Sequence, residues 1–188
     1  MVLGRRRARA AALLTLSLPG GAYVYRGDEL GLPEVQDLPD ALIQDPTFTR
    51  SGGLDRGRDG CRIPLPWQAG GRSLGFSPDG AEAPWLPQPA EWADLSVSAQ
   101  EGDPDSFLSL YRTALALRRE RLGALPDALV WADAGPDAVC FDRGAFRCVV
   151  NLGEGALALP EGAEILPASG PLVGDGRLPR DTAVWLTR

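Results

Sequence analysis

Pro19-Gly20-Gly21-Ala22-Tyr23-Val24-Tyr25-Arg26-Gly27-Asp28-Glu29-Leu30-Gly31 decides how this chain is organised. A Pro-Gly-Gly stop leads straight into aromatic and β-branched side chains, which predicts a short strand over Ala22 to Tyr25. Upstream, the alanines and leucines between Arg5 and Leu18 are strong helix formers, and the arginines can lie on the solvent side of that helix. Helix, tight turn and strand make half of a βαβ repeat, and one parallel-type strand cannot form a sheet by itself. The basic-then-apolar order of Arg5 to Leu18 also imitates a secretory leader, but the strand that follows the turn at once favours an ordinary amphipathic helix.

Downstream, the long stretch 27–102 carries prolines from Pro33 to Pro89, many glycines and no sustained periodicity. A loop of that length in a compact domain is either disordered or functional. Its aromatic residues Phe48, Trp67, Phe76, Trp85 and Trp92 argue for an ordered functional loop.

The spacing of Phe107, Leu110, Tyr111, Ala114 and Leu117 predicts a helix over 104–122. Asp103 is its expected N-cap, Pro104 its first residue, and Arg118, Arg119 and Arg121 suit its C-terminus ahead of Gly123. Beyond it, short apolar runs separated by turn residues predict a small antiparallel β domain: Leu129 to Ala132, Ala138 to Phe141, Phe146 to Asn151, Ala156 to Leu159, Glu164 to Leu166 and Thr182 to Leu186. Asp142-Arg143-Gly144 reads as the turn of a hairpin, with Cys140 and Cys148 packed as small apolar residues.

Composition removes several functions. The 188 residues carry 19 basic and 25 acidic groups, a net charge of −6, so bulk electrostatics draws the chain to neither nucleic acid nor anionic lipid. No apolar stretch approaches the roughly 20 residues of a membrane-spanning helix. There is no histidine, so Ser-His-Asp and Cys-His arrangements are excluded and any catalysis would rest on carboxylates. Cys61, Cys140 and Cys148 fit neither a disulfide framework nor a zinc site, so the expectation is reduced thiols, a cytoplasmic location, and no metal or cofactor.

Two stretches carry candidate chemistry. Asp28 and Glu29 stand where the C-terminal end of a barrel strand presents functional groups. Adjacent carboxyls nevertheless make a poor acid/nucleophile pair, because glycosidase pairs sit about 5 Å apart on opposite sides of the scissile bond. The run Arg56-Gly57-Arg58-Asp59-Gly60-Cys61-Arg62-Ile63-Pro64-Leu65-Pro66-Trp67 combines guanidinium groups, a carboxylate and an indole. Forked donors and carboxylates hold sugar hydroxyls and aromatic faces hold the C–H surface, so this mixture suits a sugar; a purely structural Arg–Asp pair with a buried Trp explains it equally well.

These residues resemble the glycoside hydrolase family 13 (α-amylase family) α-glucosidases. Pro19 to Gly31 is similar to the family's last barrel strand, a Pro-Gly turn followed by Tyr-x-Tyr-Gln-Gly-Glu-Glu-x-Gly. Arg58 to Trp67 is similar to its Arg-Asp-x-x-Arg-x-Pro-x-x-Trp segment. Arg26 replaces the usual Gln and Asp28 the usual Glu, which alters local hydrogen bonding. The resemblance extends over the Phe107 to Arg121 helix and the β region from about Leu125, and so covers nearly the whole chain.

The resemblance implies an α+β chain: residues 1–122 as the remnant of a (β/α)8 barrel and 123–188 as a C-terminal β-sandwich domain. It implies Asp59 and Arg62 as substrate-binding residues, Asp28 and Glu29 as support for the loop behind them, and Trp67 as a packing residue. The family's nucleophilic Asp, acid/base Glu and third Asp lie on earlier strands and have no counterpart here, so no catalytic residue is assigned. The expected partners are α-linked glucosides or oligosaccharides, with another polypeptide supplying the missing barrel unless the chain is a truncated product. A non-catalytic carbohydrate-binding or regulatory module, and a remnant without function, are the competing expectations.

Overall fold

The helices of the chain are α1 (Val2–Ser17), α2 (Pro46–Arg50), α3 (Val97–Gln100) and α4 (Phe107–Leu117), and the strands are β1 (Val130–Trp131), β2 (Ala138–Arg143), β3 (Phe146–Asn151), β4 (Glu164–Ala168) and β5 (Thr182–Thr187). The computed structural model describes residues 2–78 and 80–187. Two units are formed, one from Met1–Val24 with Ser109–Arg188 and the other from Tyr25–Leu108.

In the first unit the strands make one antiparallel sheet in the order β1-β2-β3-β5-β4. Alternation along each strand sorts its side chains onto two faces. Phe141, Cys148 and Trp185 lie opposite one another in register and pack with Leu13 and Leu16 of α1 and with Leu110 and Ala114 of α4. Cys140, Val149 and Val184 face the other way and pack with Leu178, Leu157 and Leu172. Full burial of each large apolar side chain here contributes about 1.5–3 kcal/mol. The indole N–H of Trp185 also donates to the Leu13 carbonyl at 3.0 Å, and its ring meets Phe146 edge-on at 5.4 Å. The exposed side of α1 is held by charge: the guanidinium of Arg7 lies 2.9 Å from the carboxylate of Asp181, a residue 1% exposed.

The second unit, the expected loop region, is ordered as short turns around its own core of Leu38, Ile63, Leu86 and Trp92. Gln100 is buried and donates to the carbonyls of Leu30 (3.0 Å) and Leu95 (2.8 Å) while its oxygen accepts the Leu108 N–H at 3.2 Å.

Several local expectations are corrected. Residues 22–25 form no strand, because among the described residues no neighbouring strand pairs with them; Tyr23 is 99% exposed. Helix α4 begins at Phe107, not Pro104: Asp103 caps a turn by accepting the Asp105 N–H, and the Ser106 N–H closes that turn onto the Asp103 carbonyl. Past Leu117 the helix widens into a π turn over Arg118–Leu122. The β2–β3 hairpin pairs Arg143 with Phe146, so its turn is Gly144-Ala145, with Gly144 at φ +58°. Ala156 to Leu159 makes only the bridge Leu157↔Leu178. The expected sandwich thus takes the form of one sheet whose far face is covered by bridged loops. Among the described residues, no helix is long and apolar enough to cross a membrane.

Candidate functional site

The candidate residues Asp59 and Arg62 lie in the second unit, on a 3-10 turn (Asp59–Cys61) and just after it. Gly60 is required there, since a side chain would collide with the Val35 carbonyl, whose own N–H donates to the Gly60 carbonyl at 3.1 Å. The turn directs the Asp59 side chain inward, where it is 1% exposed. One carboxylate oxygen accepts the backbone N–H groups of Gln44 (2.7 Å) and Asp45 (2.8 Å). The other accepts from Nη1 of Arg62 at 3.1 Å.

Asp45 completes the arrangement. It is the N-cap of α2, accepting the Thr47 N–H at 3.0 Å, with Pro46 at the first helical position. Its second oxygen accepts the Arg58 N–H at 3.0 Å and Nη1 of Arg62 at 3.2 Å. The Thr47 N–H first, then the Arg58 N–H, hold the Asp45 carboxyl down at about 2, with Arg62 adding to them against the opposing effect of burial. Gly57, at φ +67°, lets the backbone pass close to this carboxylate, where any side chain would strike it. The sequence reading did not single out Asp45; the Asp-Pro pair ahead of a short helical run was the available signal.

Arg62 is thereby fixed at one corner only. A single nitrogen is divided between two nearly buried carboxylates, while the side chain as a whole is 45% exposed. Among the described residues, its Nε and Nη2 make no hydrogen bond, so these donors of a half-exposed fork remain available. Trp67, in contrast to its expected packing role, is half-exposed.

Asp28 and Glu29 serve the turn after Tyr25. Asp28 accepts the Tyr25 N–H at 2.9 Å and Glu29 accepts the Gly27 N–H at 2.8 Å. Gly27 at φ +95° and Gly31 at φ +63° flank this turn, and a side chain on Gly31 would enter the Phe107 ring. Both carboxylates are therefore occupied with the local backbone. Among the described residues, no group of three or more His, Cys, Asp or Glu side chains is placed to hold a metal ion.

Residues 2–126 match the catalytic domain of alpha amylase, and residues 126–185 match a domain of unknown function, DUF3459. A probable alpha-glucosidase of Rhizobium meliloti is 39% identical over 116 residues, covering 60% of this chain and 19% of the relative. A probable oligo-1,6-glucosidase of Bacillus subtilis is 28% identical over 130 residues, covering 60% of this chain and 22% of the relative. The solved structure of the alpha-glucosyl transfer enzyme XgtA superposes with a TM-score of 0.78 at 32% identity, covering 97% of this chain and 36% of the other. The chain thus spans about a fifth of the length of the curated relatives that it matches.

Proposed function

This chain belongs to the α-amylase family, and from that premise we propose that it is the C-terminal part of an α-glucosidase, supplying a sugar-binding rim but no catalytic carboxylate. The parent reaction is a retaining hydrolysis of α-glucosides such as maltose and short oligosaccharides. A carboxylate attacks the anomeric carbon, a carboxylic acid protonates the leaving oxygen, and water releases the sugar.

The observation that carries this reading is the occupation of the carboxylates around Arg62. Asp45 and Asp59 spend their oxygens on backbone N–H groups and on one guanidinium nitrogen, so neither is free to attack carbon or deliver a proton. Their role is to orient Arg62, whose remaining donors fit the vicinal hydroxyls of a sugar. Asp28 and Glu29 hold the preceding turn in place. Residues 1–122 then act as the barrel remnant and 123–188 as the C-terminal domain, a division supported by the family boundary at residue 126.

Turnover requires the rest of the barrel, and the free thiols suit a cytoplasmic setting. Calorimetric titration of the full chain with maltose tests the rim assignment. Saturable heat that disappears in Arg62→Ala supports it. Heat that survives in the variant, or none in the parent chain, sinks it.

A further inference from the structure

Arg118, Arg119 and Arg143 line a recess of about 730 Å³ in the first unit, far in sequence from the Asp59–Arg62 turn. Arg143 is 3% exposed and donates to three carbonyls, those of Pro126 (3.1 Å), Ser17 (3.0 Å) and Leu122 (3.4 Å). Arg118 donates to the carbonyls of Leu16, in the last turn of α1, and of Leu18 and Gly20 just beyond it. Among the described residues, none of the three arginines has a carboxylate within ion-pairing distance. Arg6, Arg7, Arg56, Arg62, Arg121 and Arg147 each have at least one.

Carbonyl dipoles orient a guanidinium but do not neutralise it, and a buried cation left unbalanced is costly. Burial first, and then the neighbouring positive charge of Arg118, hold the Arg143 guanidinium below its ordinary value, which Asp127 only partly offsets. Asp127 is the recess's one acidic wall residue and is exposed. The recess therefore has net positive charge, two guanidiniums preoriented by the backbone, and an exposed third, Arg119.

We propose that this recess binds a phosphate dianion, either free or carried on a phosphomonoester. Arg118 and Arg143, held by backbone carbonyls, act as fixed positive charge in the wall, exposed Arg119 supplies the guanidinium donors to the phosphate oxygens, and the volume admits a group larger than inorganic phosphate. The site stands independently of the sugar-binding rim.

The test is calorimetric titration of the full chain, at constant ionic strength, with inorganic phosphate, glucose 1-phosphate and uncharged glucose. Arg119→Gln serves as the variant because, among the described residues, that exposed side chain makes no hydrogen bond or ion pair. The expected result is saturable binding of phosphate or of the phosphomonoester but not of glucose, about tenfold weaker in the variant. Saturation by the phosphomonoester alone, with the same loss in the variant, supports the proposal and assigns the larger ligand. Absence of saturable heat with both anions, or affinity unchanged in Arg119→Gln, overturns it.

Discussion

Replacing Asp59 by alanine removes the one acceptor shared by the Gln44 N–H, the Asp45 N–H and Arg62. The two backbone donors lose their partner at a residue 1% exposed, where little water can substitute. A buried N–H left unsatisfied costs about 1–3 kcal/mol. The Gln44 bond is only partly buried, so the pair together should cost about 2–4 kcal/mol. Arg62, half-exposed, adds no more than about 1 kcal/mol. In urea, with a slope of about 1–3 kcal/mol per molar, Asp59→Ala should lower the midpoint of the second unit by about 1–2 M, followed through the fluorescence of buried Trp92. Asp59→Asn keeps an oxygen for both N–H groups and should lose less than half as much. An unfolding free energy for Asp59→Ala within about 0.5 kcal/mol of the parent's would refute the reasoning, since that is the range of an ordinary surface change.

Acid should loosen the same turn: the Asp45 carboxyl sits at about 2 when folded and near 3.8 when unfolded, so its contribution is present above the unfolded value and is lost as pH falls through about 2. Thermal midpoints of the parent and Asp45→Asn should converge at the acid end; a constant gap contradicts this. Trp185→Phe keeps most of the apolar contact but loses the indole N–H bond to the Leu13 carbonyl, which keeps its helical partner, and should cost about 0.5–1.5 kcal/mol in equilibrium unfolding. Burial pushes the Cys148 thiol up to about 12, so iodoacetamide on the native chain should label Cys61 and spare Cys148 until denaturant is added, as peptide mass mapping would show.

How far the sequence could be read depended on whether the deciding contacts were local. The β2–β3 hairpin was legible because alternation and a glycine at the turn act within a few residues, although its turn is tighter than the Asp142-Arg143-Gly144 reading. The apolar stripe from Phe107 to Leu117 marked α4, but its start is set by Gln100, whose oxygen accepts the Leu108 N–H from eight residues away, a long-range cap that Asp103-Pro104 disguised. Tyr23-Val24-Tyr25 has strand chemistry without a ladder partner, so propensity alone could not make a strand. At the candidate site the Asp59 to Arg62 spacing was visible, yet Asp45 was not, because it reaches Arg62 only through the fold of a segment 17 residues away. The pairing of Trp185 with Leu13 bridges 172 positions and leaves no local trace.

Glucose release from maltose and from a chromogenic α-glucoside, measured on the purified full chain beside Arg62→Ala, tests the central claim most directly. No turnover above buffer is expected for either protein, because the carboxylates at the rim are committed to the backbone and to Arg62. Turnover by the parent chain that falls in Arg62→Ala would contradict it and would place a working acid and nucleophile among Asp28, Glu29, Asp45 and Asp59.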